Sequence, residues 1–295
     1  MAAPRLAATV VLLRETPPPG RGFEVFFVKR HENSGFMGGA HVFPGGKLDA
    51  ADRGEALLAA CDGRTAEACA ARLGTPDAAG LHVAALRELF EEAGALLADR
   101  GAALPAPDFA DPAEAARFAA HRRALDARQK PFGAVVAEER LHLRVDRLHY
   151  WAHWITPEVE PRRFDAYFFV AALPAGQAPL HDARETVASA WLAPDEALAR
   201  HKAGDIALPP PTLRNVELLA LHPTVSAVCA AADAADPPVI LPTVDQVDGK
   251  LALLLPGDPL YRPPPEVPAP GGTPRGLGGA TRFVLDAGRW YTRTA

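Results

Sequence analysis

The chain of 295 residues carries 31 Lys and Arg against 36 Asp and Glu, a net charge of −5, and is 48% hydrophobic. That length buries a full core as one enlarged domain or two small ones, and the acidic balance argues against a general nucleic-acid or anionic-membrane binder, whose footprint is a basic surplus. Three cysteines, Cys61, Cys69 and Cys229, form no CxxC or Cys/His metal spacing, so the chain reads as a protein of a reducing compartment, the cytoplasm, and not as a disulfide framework.

Taken in chain order, the apolar run 8–13 reads as a first strand, with a signal peptide as the competing reading. No apolar stretch approaches the roughly 20 residues needed to span a bilayer. A second β-branched and aromatic run covers 23–29, and ETPPPGRG between the two is a turn by composition. The glycine-rich HENSGFMGGAH then leads to Val42 and Phe43. Pro44-Gly45-Gly46 predicts a sharp turn in which backbone carbonyls approach a ligand closely. From 53 to 80 the composition changes to Ala, Glu and Arg and ends in LGTPDAAG, which predicts one or two short helices and a turn.

Residues 82–97, HVAALRELFEEAGALL, form the most informative stretch. At about 100° per residue, Leu86, Leu89, Phe90, Ala93 and Leu97 share one helical face and Glu88, Glu91 and Glu92 crowd the other. Like charges at this spacing cost a few tenths of a kcal/mol per pair. A hard divalent cation such as Mg²⁺ or Mn²⁺, which takes carboxylate oxygens, reverses that cost. The competing reading is a solvated acidic face.

The helix is expected to stop near 99–101, followed by a loop and by helices over 113–128, capped by Asp111-Pro112, and 132–139. His149, Trp151, His153 and Trp154 invite a metal or base-stacking reading, but alternation of Tyr150, Ala152 and Trp154 predicts a half-buried strand. Further strands are predicted at 164–171 and 187–192, and helices at 195–202, 212–222 and 225–234. Beyond 236 the chain is rich in Pro and Gly. Extended pieces at 251–255, 282–285 and 290–292 read as edge strands around the DAG turn, with 262–280 a mobile loop by composition. No internal repeat and no helix-turn-helix unit is visible, which disfavours a transcription regulator.

Arg87 to Ala95, RELFEEAGA, fits REUxEExGU with U apolar, a pattern that arises by chance in a chain this long on the order of once in 10⁴ to 10⁵. It is the second half of the Nudix box. The first half stands further upstream than usual: Gly46, five residues, then Asp52 in the glutamate's place, with 34 residues between Asp52 and Arg87. On this split box, and on GFMGGAHVFPGGKLDAAD, TPEVEPRRFDAYFF and LPGDPLY, the chain resembles the interrupted-box subfamily of Nudix hydrolases, typified by the mammalian peroxisomal coenzyme A diphosphatase. The resemblance implies an α/β/α sandwich around a mixed sheet over 1–235, with the box split as 46–52 and 87–95, a helical insertion over about 53–80, and a C-terminal extension over 236–295.

It also implies metal-dependent hydrolysis of a nucleoside diphosphate linked to a group X. Glu88, Glu91 and Glu92, with the Gly46 carbonyl, correspond to the ligands of Mg²⁺ or Mn²⁺. Arg87 orients a glutamate, reaching Glu91 at i+4. The general base is either Glu91 or, outside the box, Glu185. Asp52 is a shorter acid than the box glutamate, so a structural salt bridge at that position is not assured, while the metal site is expected to be spared. Arg30, Gly39 and Phe43 to Gly46 match the coenzyme A-directed pattern in register, while Gly35 stands where that pattern has an arginine; Arg162 and Arg163 are candidates to supply the charge for a 3′-phosphate. Three readings follow: a coenzyme A or acyl-coenzyme A diphosphatase, a hydrolase of ADP-ribose, NADH or a related nucleotide, and a non-catalytic binding module. The partner is a small molecule, with no nucleic acid or membrane, and both monomer and homodimer stay open.

Overall fold

A computed structural model describes residues 3–16, 22–32, 37–102, 104–182, 186–264 and 279–295. Strands β1 (Arg5–Glu15) and β2 (Phe23–Arg30) pair antiparallel, with β3 (His41–Val42) on β2 and β4 (Gly45–Lys47) on β1. Helix α1 (Glu55–Ala59), β5 (Cys61–Asp62), α2 (Ala66–Leu73) and α3 (Ala78–Ala93) follow. Next come β6 (Ala98–Asp99), α4 (Pro112–Asp126), α5 (Phe132–Glu138) and β7 (His142–Arg144). Strands β8 (His149–Ile155), β9 (Phe164–Ala172) and β10 (Thr186–Leu192) return to the main sheet. Helices α6 (Pro194–Ala203), α7 (Pro210–Leu219) and α8 (Val225–Ala234) precede β11 (Val239–Ile240). Strands β12 (Thr243–Val247), β13 (Lys250–Leu254), β14 (Arg282–Asp286) and β15 (Arg289–Arg293) end the chain.

The eight-stranded main sheet runs β10-β2-β1-β9-β8-β11, with β3 and β4 attached to β2 and β1. It is mixed: β9 lies parallel to β1 and β11 parallel to β8, the other pairs being antiparallel. Period-2 alternation divides each central strand between two cores. Val10, Leu12, Phe26 and Phe169 pack with α3 on one face; Val11, Leu13, Phe27 and Val170 pack toward α6, α7 and α8 on the other. Strands buried on both faces read as continuous apolar runs, which is why 10–13 is so plain in the sequence. No helix of the described residues is long and apolar enough to cross a membrane.

Several boundaries differ from expectation. Helix α3 begins at Ala78 and ends at Ala93, where Gly94 takes φ 70 and its N–H bonds Phe90 O. It therefore stops a turn and a half before 99–101. Leu97 is buried at 1% exposure, but from non-helical backbone. Residues 45–47 are a strand rather than a turn, and Gly45 lies so close to β1 that an added Cβ would stand 2.5 Å from Ala8 O. Strand β8 is buried on both faces instead of one, with only His149 partly exposed. The C-terminal strands form their own antiparallel sheet, β12-β13-β14-β15, and not edges of the main one; β12 was not anticipated, and β11, past the expected boundary at 235, belongs to the main sheet.

Candidate active site

The apolar stripe of α3, with Leu86, Leu89, Phe90 and Ala93 at 2% exposure or less, packs in one core with Val10 and Leu12 of β1 and fixes the helix there. That forces the opposite stripe toward the Gly45–Gly46 backbone rather than into bulk water. The acids are correspondingly covered: the side chain of Glu88 is 13% exposed, that of Glu91 27%, and Glu92 as a residue 9%. A solvated acidic face is thereby excluded.

Arg87 organises the cluster. Its Nε and Nη2 each donate to one oxygen of Asp52 at 2.8 Å, its Nη2 also donates to Lys47 O at 3.1 Å, and its Nη1 donates to Glu88 at 2.7 Å and Glu91 at 3.4 Å. Asp52, 35 positions earlier, has a side chain with no exposure. Such a pair is strong because both N–H groups of the planar fork are used. The salt bridge that the shorter acid left open does form: a 3₁₀ turn over Ala50–Arg53 carries the backbone close, and Asp52 also accepts from Asp49 N–H at 2.8 Å.

Glu92 accepts from Gly45 N–H at 3.0 Å. The Glu88 carboxylate lies against Gly46, where an added Cβ would stand 2.4 Å from its Oε1. Burial, with Glu88 alongside, pushes the Glu91 carboxyl up to about 7, against the lowering effect of Arg87. At the end of α3, Arg122 donates to Glu91 O at 2.8 Å and Glu92 O at 2.6 Å, placing a cation at the negative end of the helix.

A cavity of about 1400 Å³ contains Gly46, Arg87, Glu88, Glu91 and Glu92 together with Arg30 and Arg162. Arg163 is not brought in: it is 4% exposed and its Nε donates to Thr156 O at 3.0 Å, bracing the β8–β9 connection. Glu185 lies outside the described residues, as does Gly35. His149 pairs with Asp233 at 2.8 Å and His153 with Asp165. Residues missed in the sequence also line the cavity: the cations Arg5, Lys47, Arg128 and Lys130 and the acids Asp126 and Asp182. Nothing local marks Asp182, which is tied to Thr186 by bonds of 2.9 and 2.7 Å.

Among the described residues, no three His, Cys, Asp or Glu groups already stand as a metal-holding set, since Glu88 and Glu91 lean on Arg87 and Glu92 on Gly45. The donors nevertheless suit a hard divalent cation. All are oxygens, they share one cavity, and Gly46 leaves free the space a Cβ would fill beside Glu88.

A mixed sheet between helical layers, with an acidic helix facing a glycine strand, defines a Nudix-fold hydrolase. The crystal structure of a NUDIX hydrolase from Alicyclobacillus acidocaldarius superposes with a TM-score of 0.63 at 27% identity, over 78% of this chain and 97% of that one. The chain belongs to the Nudix family described as the NUDT19 Nudix domain, whose model matches residues 65–219. It is 32% identical to acyl-coenzyme A diphosphatase NUDT19 of Homo sapiens, over 83% of this chain and 74% of that protein, and 32% identical to the Gallus gallus protein of the same name, over 89% and 81%. The corresponding Xenopus laevis protein is 27% identical over 83% and 73%. The protein is a Nudix pyrophosphohydrolase, and the reading as a non-catalytic binding module is set aside.

Proposed function

We propose that the protein is a divalent-cation-dependent diphosphatase that cleaves coenzyme A or an acyl-coenzyme A at its diphosphate, giving 3′,5′-ADP and phosphopantetheine or its acyl ester. The observation that carries this reading is one cavity that brings the three carboxylates of the α3 acidic stripe together with the Gly45–Gly46 backbone and two of the three anticipated arginines. The names of the three relatives above support the coenzyme A substrate.

Glu88, Glu91, Glu92 and Gly46 would hold Mg²⁺ or Mn²⁺, which when bound neutralises phosphate charge and acidifies water. The chain's own residues do the remainder. Arg87 is a positioning residue: anchored on Asp52, it fixes Glu88 and Glu91. Glu91 takes the proton of the attacking water as its oxygen bonds to phosphorus and the anhydride P–O bond breaks; Glu185 is the alternative acceptor. Arg30 and Arg162 bind phosphate oxygens of the substrate, the 3′-phosphate among them.

The test is a comparison of kcat/KM for coenzyme A, dephospho-coenzyme A, ADP-ribose and NADH, with Mg²⁺ or with excess chelator. Coenzyme A is expected to be the best of the four, chelator to abolish turnover, and Glu92→Gln to lower kcat about 10²- to 10³-fold with the fold retained. Higher kcat/KM for ADP-ribose or NADH transfers the assignment to those nucleotides; full activity in chelator refutes the metal.

A further inference from the structure

We propose that Arg128, in the turn between α4 and α5, is a catalytic arginine that binds the diphosphate of the substrate from beside the acidic stripe. This rests on the diphosphatase reading and adds a residue to it. The cavity is walled on one side by Leu253 and Trp290 of the C-terminal sheet and on another by Arg128, Gln129, Lys130 and Pro131 of the α4–α5 turn. That turn is held beside the acids. Arg122, near the end of α4, bonds the carbonyls of Glu91 and Glu92. Asp126, the last residue of α4, lines the cavity and adds to burial and Glu88 in raising the Glu91 carboxyl. Arg128 follows Asp126 by two residues.

Two features single it out. The first is backbone strain. Arg128 takes φ 56, a left-handed conformation unfavourable to any residue with a Cβ. Its N–H bonds Leu125 O at 2.8 Å and Gln129 N–H bonds Ala124 O at 2.9 Å, so the helix stop imposes that conformation. Glycine relieves it, and α2, α3 and α6 of this chain do stop on left-handed Gly74, Gly94 and Gly204. A non-glycine residue kept at such a position beside a catalytic cavity points to a use for its side chain. The second is a cation without a partner. Arg87 is committed to Asp52, Lys47 pairs with Asp49 at 3.2 Å, and Lys130 pairs with Glu138. Arg128 is exposed and makes no side-chain hydrogen bond or ion pair among the described residues. Arg5 and Arg162 share that lack, but they sit together at the start of β1, where Arg5 N–H bonds Arg163 O at 3.0 Å.

The chemistry calls for such a group. As the water oxygen bonds to one phosphorus and the anhydride P–O bond breaks, the electron pair of that bond passes to the departing phosphate, while Glu91 takes the proton of the water. A guanidinium offers two parallel N–H donors to the oxygens of that phosphate and stays charged throughout. The turn that carries it is braced in advance. Glu139, just past α5, accepts from Arg117 at 2.7 Å and meets His121 at 3.0 Å, both on α4, which locks the two helices together. Arg140 is the natural comparison: it follows α5 at φ 52 in the same left-handed conformation, is exposed, and stands outside the cavity.

The experiment sets Arg128→Gly, Arg128→Lys and Arg140→Gly against the wild type and measures melting temperature and kcat for coenzyme A with Mg²⁺. Both glycine variants are expected to melt as high as the wild type or up to about 4 °C higher, from relieved strain. Arg128→Gly is expected to lose about 10- to 10²-fold in kcat, as the loss of a charge-assisted bond implies. Arg128→Lys, which keeps the charge, is expected to lose less, and Arg140→Gly to keep full activity. Wild-type kcat in Arg128→Gly overturns the proposal, as does early melting of that variant or an equal loss in Arg140→Gly. A wild type that hydrolyses ADP-ribose or NADH and no coenzyme A overturns the substrate reading alone, and the same variants are then compared on that nucleotide, which carries the same diphosphate group. No turnover of any of the three overturns both readings.

Discussion

A carboxylate taken wholly out of water costs several kcal/mol unless it is paired and hydrogen-bonded, and Asp52 meets both conditions through Arg87 and the N–H of Asp49. Two charges with little solvent to screen them hold the acidic helix to the 3₁₀ turn that follows the glycine strand. Asp52→Asn keeps the shape and removes the charge, leaving the covered guanidinium to turn onto Glu88 and Glu91. The expected outcome is a loss of about 3–5 kcal/mol in chemical denaturation, with kcat falling as the acids are drawn off the cavity. An unchanged denaturation midpoint would show that the pair is dispensable. The residue types at this site were legible in the sequence because REUxEExGU fixes them; the strength of the Asp52 pair was not, because it depends on how close a 3₁₀ turn brings the backbone.

At the scale of the element, Gly94 explains both the end of α3 and a position of the motif. It sits at φ 70, and an added Cβ would stand 3.0 Å from Arg122 Nη1, the guanidinium that caps the carbonyls of Glu91 and Glu92. Gly94→Ala is expected to cost about 1–2 kcal/mol in a denaturant titration, from backbone strain and a displaced cap. The kcat should fall as well, since Glu91 and Glu92 occupy the last turn. Stability equal to wild type would mean that the left-handed conformation is not required. Apolar periodicity overran this helix because Leu96 and Leu97 are also buried. Their backbone is satisfied elsewhere: Leu96 N–H and O both bond the Gln177 side chain at 2.8 Å, 81 positions away, which no local pattern reveals. A glycine after the last periodic residue was the available stop signal.

Across the whole molecule, the α/β/α layering was readable from motif and strand runs, but the role of the C-terminal strands was not. The apolar run over 251–255 shows a strand without saying which core receives it. Phe283 and Leu255 are fully buried in the same core as Trp154 and α7, so residues beyond 236 share a core with the main sheet. A length of chain that reads as an appendage by composition thus completes the cavity wall through contacts made only after folding.

One buried group ties the stability of that shared fold to pH. His82, on α3, has no exposure, packs 4.8 Å from Phe169, and bonds Ala78 O through Nδ1 at 2.7 Å. Its Nε2 has no hydrogen-bond partner among the described residues. Burial, opposed by the bond to Ala78, lowers it to about 4. The folded chain therefore keeps His82 neutral where an unfolded chain, with an ordinary value near 6.5, takes up a proton. The stabilisation is fully present above about 6.5 and is lost as pH falls from there through about 4, amounting to about 3 kcal/mol by linkage. His82→Leu, of similar volume and without a titrating ring, is expected to flatten the decline of melting temperature between pH 6.5 and 4 while leaving the slope above pH 7 unchanged. The comparison is a calorimetric series of both proteins across that range, and coincident slopes would place the acid sensitivity of the fold in some other group.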